Sequence, residues 1–218
     1  MSRPTLVIGN KNYSSWSLRA WLMLRHLGVD FQEVRVPLYT DGYKEKILEY
    51  SPAGKVPVLV EKGVTVWDSM AIIDHLAEEH PDVWPGNAAS RAYARSICAE
   101  MHSGFTALRN ELPENIRAMG RKVEVSQAAE REISRIEEIW KTCRDVHSKE
   151  GSWLFGPFTA ADAMYAPVAF RFITYGIRVG ETAKQYMHTV LSDPHMKDWI
   201  RESAAEPEFI DEFEVGLI

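Results

Sequence analysis

Along residues 1–80 the spacing of apolar side chains changes period several times. Thr5-Leu-Val-Ile8 is a short apolar run of the kind that fills a buried strand, and Asn10-Lys11-Asn12 breaks it. From Ser15 to Leu27 the apolar residues Leu18, Trp21, Leu22 and Leu24 fall at helical spacing, with Gly28 as the stop. Phe31 to Val36 alternates as a strand does, and Tyr43 to Tyr50 fits a short helix ended by Ser51-Pro52-Ala53-Gly54. Val56–Val60 and Val64–Trp67 flank Glu61-Lys62-Gly63 and predict two antiparallel strands joined by a tight turn. Ser69 to His80 predicts a helix with Met70, Ile72, Ile73 and Leu76 facing inward. The order β-α-β-α-β-β-α implies a mixed four-stranded sheet covered by helices.

Pro81 to Asn87, with two prolines and a glycine, reads as a linker. Beyond it the pattern is helical, over 88–119, 126–149, 160–175, 182–191 and 194–204. The expected organisation is therefore an α/β unit at 1–80, a linker at 81–87 and an all-α unit at 88–218, with no internal repeat.

Composition narrows the partners. The chain has 218 residues, and 25 Lys and Arg against 31 Asp and Glu leave a net charge of −6, which opposes a large phosphate-binding surface. Nucleic acid is not an expected partner. No apolar run approaches the ~18 residues that span a bilayer, and the first residues lack a signal-peptide pattern, so a cytoplasmic location is expected. Cys98 and Cys143 stand alone in helical patterns and read as buried small apolar residues. His75, Glu79 and His80 fall near helical spacing but read as a solvated helix face, so no metal is expected. Arg117, Arg121 and Lys122, around Gly120, read as solvated charges at a helix end.

Three short segments carry candidate chemistry. Ser14, Ser15 and Ser17 lie between the first strand and its helix, where one serine caps the helix and further hydroxyls are available to an anion such as a thiolate. Lys55-Val56-Pro57-Val58 opens a strand with a proline, a candidate cis peptide that would turn the Val56 backbone toward a peptide-like ligand. Asp68-Ser69 starts a helix; it is a cap, or it holds a ligand's ammonium on Asp68 and carboxylate on Ser69.

Together these segments, followed by an all-helical half, resemble the soluble glutathione S-transferases over essentially the whole chain. Tyr13-Ser-Ser-Trp-Ser-Leu-Arg19 is similar to the serine-type motif of zeta-class and related bacterial enzymes, which runs Ser-Ser-Cys-x-x-Arg, and Gly156-Pro-Phe-Thr-Ala-Ala-Asp162 is similar to the capping box that starts a core helix of the family. The resemblance implies a thioredoxin-like N-terminal domain and a homodimer. It also implies that glutathione has its sulfur at Ser14, with Ser15 and Ser17 as nearby substitutes. The cysteinyl unit would pair with the Val56 backbone before Pro57, the γ-glutamyl end would lie on Asp68 and Ser69, and the glycyl carboxylate would meet Lys55 or Lys44. Trp16 stands where the zeta class has cysteine. It is expected to wall an electrophile pocket with Met101, Phe105 and Leu108, or those three are core; Arg171 and Tyr175 would serve an acidic co-substrate or a buried polar network. The activity implied is glutathione transfer to an electrophilic small molecule. The alternatives are a glutathione-dependent cis-trans isomerase of the maleylacetoacetate type, or a non-catalytic glutathione or ligand carrier.

Overall fold

A computed structural model describes residues 3–216. Strand β1 (Thr5–Ile8) leads through α1 (Ser15–His26) to β2 (Gln32–Arg35), and α2 (Tyr43–Leu48) leads to the hairpin of β3 (Val58–Glu61) and β4 (Val64–Val66), followed by α3 (Ser69–Leu76). The sheet order is β2-β1-β3-β4, with β1 parallel to β2 and antiparallel to β3. The element order β-α-β-α-β-β-α expected from the pattern is the one observed, and it builds the thioredoxin-like sheet that the resemblance implies. Because side chains alternate across a strand, Leu6, Ile8 and Leu59 face α1 and α3, while Val7 and Val58 face Ile47 of α2.

The helical half comprises α4 (Ala88–Ser103), α5 (Thr106–Glu111), α6 (Gln127–His147), α7 (Ala160–Thr174), α8 (Glu181–Ser192) and α9 (Pro194–Ala204). The continuous helix expected over 88–119 is not formed. It ends at Ser103, Phe105 adopts φ +56°, and α5 stops at Leu112 before Pro113, leaving an irregular stretch up to α6. Residues 81–87 hold one short 3₁₀ turn, Pro81–Val83, and Val83 and Trp84 pack into the core.

Helix α7 is buried almost all round, which is why its sequence is apolar on every face. Its start is the expected capping box: the Thr159 amide donates to Asp162 Oδ2 at 2.9 Å, and Asp162 Oδ1 takes the Leu154 amide at 2.9 Å. On one side α7 packs against α4 and on the other against α1, so a single hydrophobic core runs from the inner sheet face through α1 into the helical half. That double burial of α1 fixes the position of its N-terminus, where the serines lie.

Candidate functional site

The segment between β1 and α1 is held from all sides. Gly9 is needed there because a side-chain carbon at that position would come within 2.6 Å of Leu38. Asn10 accepts the Leu38 amide at 2.7 Å through its side chain and the Ser14 amide at 2.8 Å through its carbonyl. The Lys11 and Asn12 amides both donate to the Glu206 carboxylate, at 2.7 and 3.0 Å. The Lys11 ammonium lies between the Trp21 and Trp199 rings, 5.1 Å from each centre, and pairs with Glu33 and Glu202. Asn12 bonds Asn115 and the Arg117 amide.

This scaffold sets the three serines differently. Ser17 is fully buried; its Oγ accepts the Gly9 amide at 3.0 Å and lies 2.7 Å from Ser14 Oγ. Either hydroxyl can donate to the other; when Ser17 donates, the Ser14 proton is left for a partner in the cavity beside it. Ser15 Oγ accepts from Arg171 at 3.1 Å and also borders that cavity.

The cavity is about 500 Å³ and lies between the two halves. The N-terminal half contributes Ser14, Ser15, Trp16, Lys44, Lys55 and Val56; the helical half contributes Arg109, Pro113, Glu114 and Arg171. The Val56–Pro57 peptide is cis. A third wall comes from the stretch after α9, where Phe213 stacks on Tyr13 with ring centres 5.6 Å apart and meets Tyr39 edge-on.

Guanidinium groups crowd the floor. Arg19, buried within α1, lies 4.3 Å from the centre of the Trp16 ring, and Arg109 lies 5.6 Å from it. Burial, with Arg171 and Arg109 nearby, pulls Arg19 down to about 9. Arg171 also bonds the Leu112 carbonyl, and its Nε is 3.4 Å from the buried Glu114 carboxylate.

Other expected positions lie elsewhere. Met101, Phe105 and Leu108 are in the hydrophobic core and not in the cavity wall, because the helix breaks at Gly104 and α5 turns Arg109 toward the opening instead. Tyr175 also stays behind the wall, its hydroxyl donating to the Pro113 carbonyl at 2.9 Å. Asp68 caps α3 through the Met70 and Ala71 amides, and its second oxygen is 3.0 Å from His102 Nε2. His102 packs edge-on against Trp16, which connects Asp68 to the cavity rim. Ser69 is fully buried, and its hydroxyl has no partner.

The basic cluster is corrected more sharply. Arg117 donates to the Glu206 and Glu208 carbonyls and to Tyr13 Oη, and Arg121 pairs with Glu214 at 2.7 Å; only Lys122 is a solvated charge. These arginines bind the 206–216 stretch across the mouth of the site. Cys98 and Cys143 are free and buried, and burial pushes the Cys143 thiol up to about 12. Among the described residues no group of three or more His, Cys, Asp or Glu is placed to hold a metal, and no helix is long and apolar enough to cross a membrane.

Residues 13–79, from the serine turn to the end of α3, match the glutathione S-transferase N-terminal domain family. By that match the segment is a glutathione S-transferase N-terminal domain. A probable maleylacetoacetate isomerase from Caenorhabditis elegans is 37% identical over 110 residues, which cover 50% of this chain and 50% of that protein. The chain thus spans about half the length of the isomerases it matches. A stringent starvation protein A homolog from Haemophilus ducreyi is 22% identical over 195 residues, 87% of this chain and 86% of that protein. The fold is shared with a glutathione transferase homolog from Burkholderia solved with bound glutathione, at a TM-score of 0.71 and 22% identity over 94% of this chain and 100% of that one.

Proposed function

We propose that the chain binds glutathione in the cavity between its halves and activates the thiol for attack on an electrophilic small molecule, as a serine-type glutathione transferase. The observation that carries this reading is the Ser14 hydroxyl, which stands at the cavity and at the N-terminus of α1, 2.7 Å from a Ser17 hydroxyl that already accepts the Gly9 amide. A hydroxyl donor and a helix N-terminus together favour thiolate over thiol, lowering the sulfur's pKa toward neutral pH. In this reading the Val56 backbone pairs with the cysteinyl unit next to the cis Pro57 bond, and Lys44 or Lys55, both at the cavity, meets the glycyl carboxylate. Ser69, with its hydroxyl unpartnered, and Asp68 take the γ-glutamyl end. Trp16 and Phe213 supply apolar walls for the second substrate. No step calls on a metal.

Isomerisation of an unsaturated diacid is the second reading, supported by the nematode relative's name and by the two guanidiniums, Arg109 and Arg171, that line the cavity. The test is calorimetry with glutathione followed by a glutathione-dependent screen that includes aryl halides, enones and maleylacetoacetate. Turnover of the first two supports transfer, and turnover of the diacid alone supports isomerisation. Glutathione bound with no turnover of any of them supports the carrier reading and overturns both enzymatic ones.

The same reading includes a homodimer, supported by the exposed apolar side chains Val64 and Trp67 beside β4 and tested by sedimentation at micromolar concentration. It also includes a cytoplasmic location, supported by two free, buried cysteines and tested by fractionation of the source cells.

A further inference from the structure

Thiol activation by Ser14 leaves one buried titratable group of the cavity unused. Glu114 lies in the turn after α5, is 2% exposed, and borders the cavity with Ser14, Ser15 and Arg171. Neither of its carboxyl oxygens receives a hydrogen bond. The groups facing it are Arg171 of α7, whose Nε is 3.4 Å from Glu114 Oε2, Tyr175 just after α7 and Arg19 of α1, with Arg109 of α5 near Arg171 and the Cys98 thiol of α4 beyond Arg19.

Most of these donors are committed elsewhere. Arg171 serves the Leu112 carbonyl and Ser15, Arg109 serves the Met101 carbonyl, and Tyr175 serves the Pro113 carbonyl. Arg19 Nε and one of its terminal nitrogens meet no acceptor at all. Glu114 therefore feels positive charge without a proton shared along a bond. A buried acceptor without a donor is costly, and here it stands in the wall of a cavity. A ligand that brings a proton completes it.

Resting on the glutathione reading above, we propose that Glu114 receives the thiol proton of glutathione and returns it to the carbon left negative when sulfur adds to an activated double bond. In the first half the S–H bond breaks, its electron pair stays on sulfur, and the proton forms an O–H bond on Glu114. In the second half the S–C bond forms, the π pair moves to the carbon beside the electron-withdrawing group, and Glu114 gives that carbon its proton. No external oxidant or reductant is needed, and the carboxylate is regenerated. Ser14 and Glu114 then divide the work: Ser14 donates to the sulfur anion, and Glu114 stores the proton that anion has lost. Burial pushes the Glu114 carboxyl up to about 7 against the pull of Arg171 and Arg19, which suits a group that takes and gives a proton near neutral pH.

The experiment is an infrared difference spectrum of the whole chain on adding glutathione at mildly alkaline pH, with S-methylglutathione, which carries no thiol proton, as control. A protonated-carboxyl band that appears with glutathione and not with the methylated ligand supports the proposal. Calorimetry in buffers of different ionisation heat then counts protons, and Glu114→Gln is expected to release close to one proton more per glutathione than the wild type. Turnover of an enone by the variant is expected to fall by ~10²-fold or more. Glutathione that binds to the wild type without the carboxyl band, or an equal proton count in a folded variant, overturns the proposal and leaves the glutathione reading standing. If the variant does not fold, the wild-type band decides alone. Failure of glutathione to bind overturns the functional reading and this proposal with it.

Discussion

Ser17 Oγ sits 2.7 Å from Ser14 Oγ with the Gly9 amide donating to it from the other side, so the inner hydroxyl is committed to the fold and the outer one faces the cavity. Two outcomes follow from that division. Ser14→Ala raises the pKa of bound glutathione, read from thiolate absorbance against pH, and lowers turnover by ~10²-fold while glutathione affinity holds. Ser17→Ala strands the buried Gly9 amide and costs about 1–3 kcal/mol in thermal unfolding.

Asp68 and Ser69 separate stability from binding. Asp68 accepts two amides of α3, so Asp68→Ala costs ~1 kcal/mol of stability as well as glutathione affinity. The Ser69 hydroxyl has no partner in the fold, so Ser69→Ala leaves thermal unfolding nearly unchanged and weakens glutathione by about 1–3 kcal/mol in calorimetry. A Ser69→Ala chain that binds glutathione as tightly as the wild type removes Ser69 from the site.

Glu206 closes the turn that carries the serines. Removing its carboxylate in Glu206→Ala leaves the Lys11 and Asn12 amides buried without acceptors and withdraws the more distant of the two carboxylates beside Arg35, a loss of about 2–4 kcal/mol. Thermal unfolding measures it. Glutathione affinity is expected to fall as well, because the turn precedes Ser14 directly.

The pH dependence of stability has a definite sign at Glu114. Its folded pKa, about 7, lies above its ordinary value of 4.5, so the folded chain holds the proton more tightly than the unfolded chain. That contribution is fully present below about 4.5 and is lost as pH rises through about 7. Asp162 adds a similar decline between 3.8 and about 6. Glu114→Gln, which cannot ionise, is expected to remove the first decline and keep the second, a difference on the order of 3 kcal/mol between the two chains at alkaline pH. Denaturant unfolding at closely spaced pH values tests it, and parallel curves for the two chains would refute it.

The sheet half was legible because each of its elements buries one face, so period alone separates β1, α1, β2 and the β3–β4 hairpin. Thr159 and Asp162 were legible for a different reason: a capping box is local, and its residues are three apart. Arg19 closes the serine motif, and its burial has a signal too, a charge inside the apolar run from Leu18 to Leu24, since a helix apolar on all sides is covered on all sides. The break at Gly104-Phe105 was hidden by apolar residues that keep helical spacing across it. Glu114 and Phe213 carry no local signal. One lies in an irregular turn and the other in a short stretch after α9, and only the packing of the halves brings them to the serines. Arg117 and Arg121 were read as surface charges because their acceptors are carbonyls and carboxylates from some ninety residues further along, and no spacing rule reaches that far.

The bond between Lys11 and Glu206 joins positions 195 residues apart. As the chain is made, its sheet and first helix emerge early with every strand partner in hand, yet the turn before Ser14 has no carboxylate to take its two amides until α9 has left the ribosome. Closing so long a loop is entropically dear and slow. A partly synthesised chain therefore has its strand partners in hand while the turn before Ser14 still lacks the acceptor of its two amides.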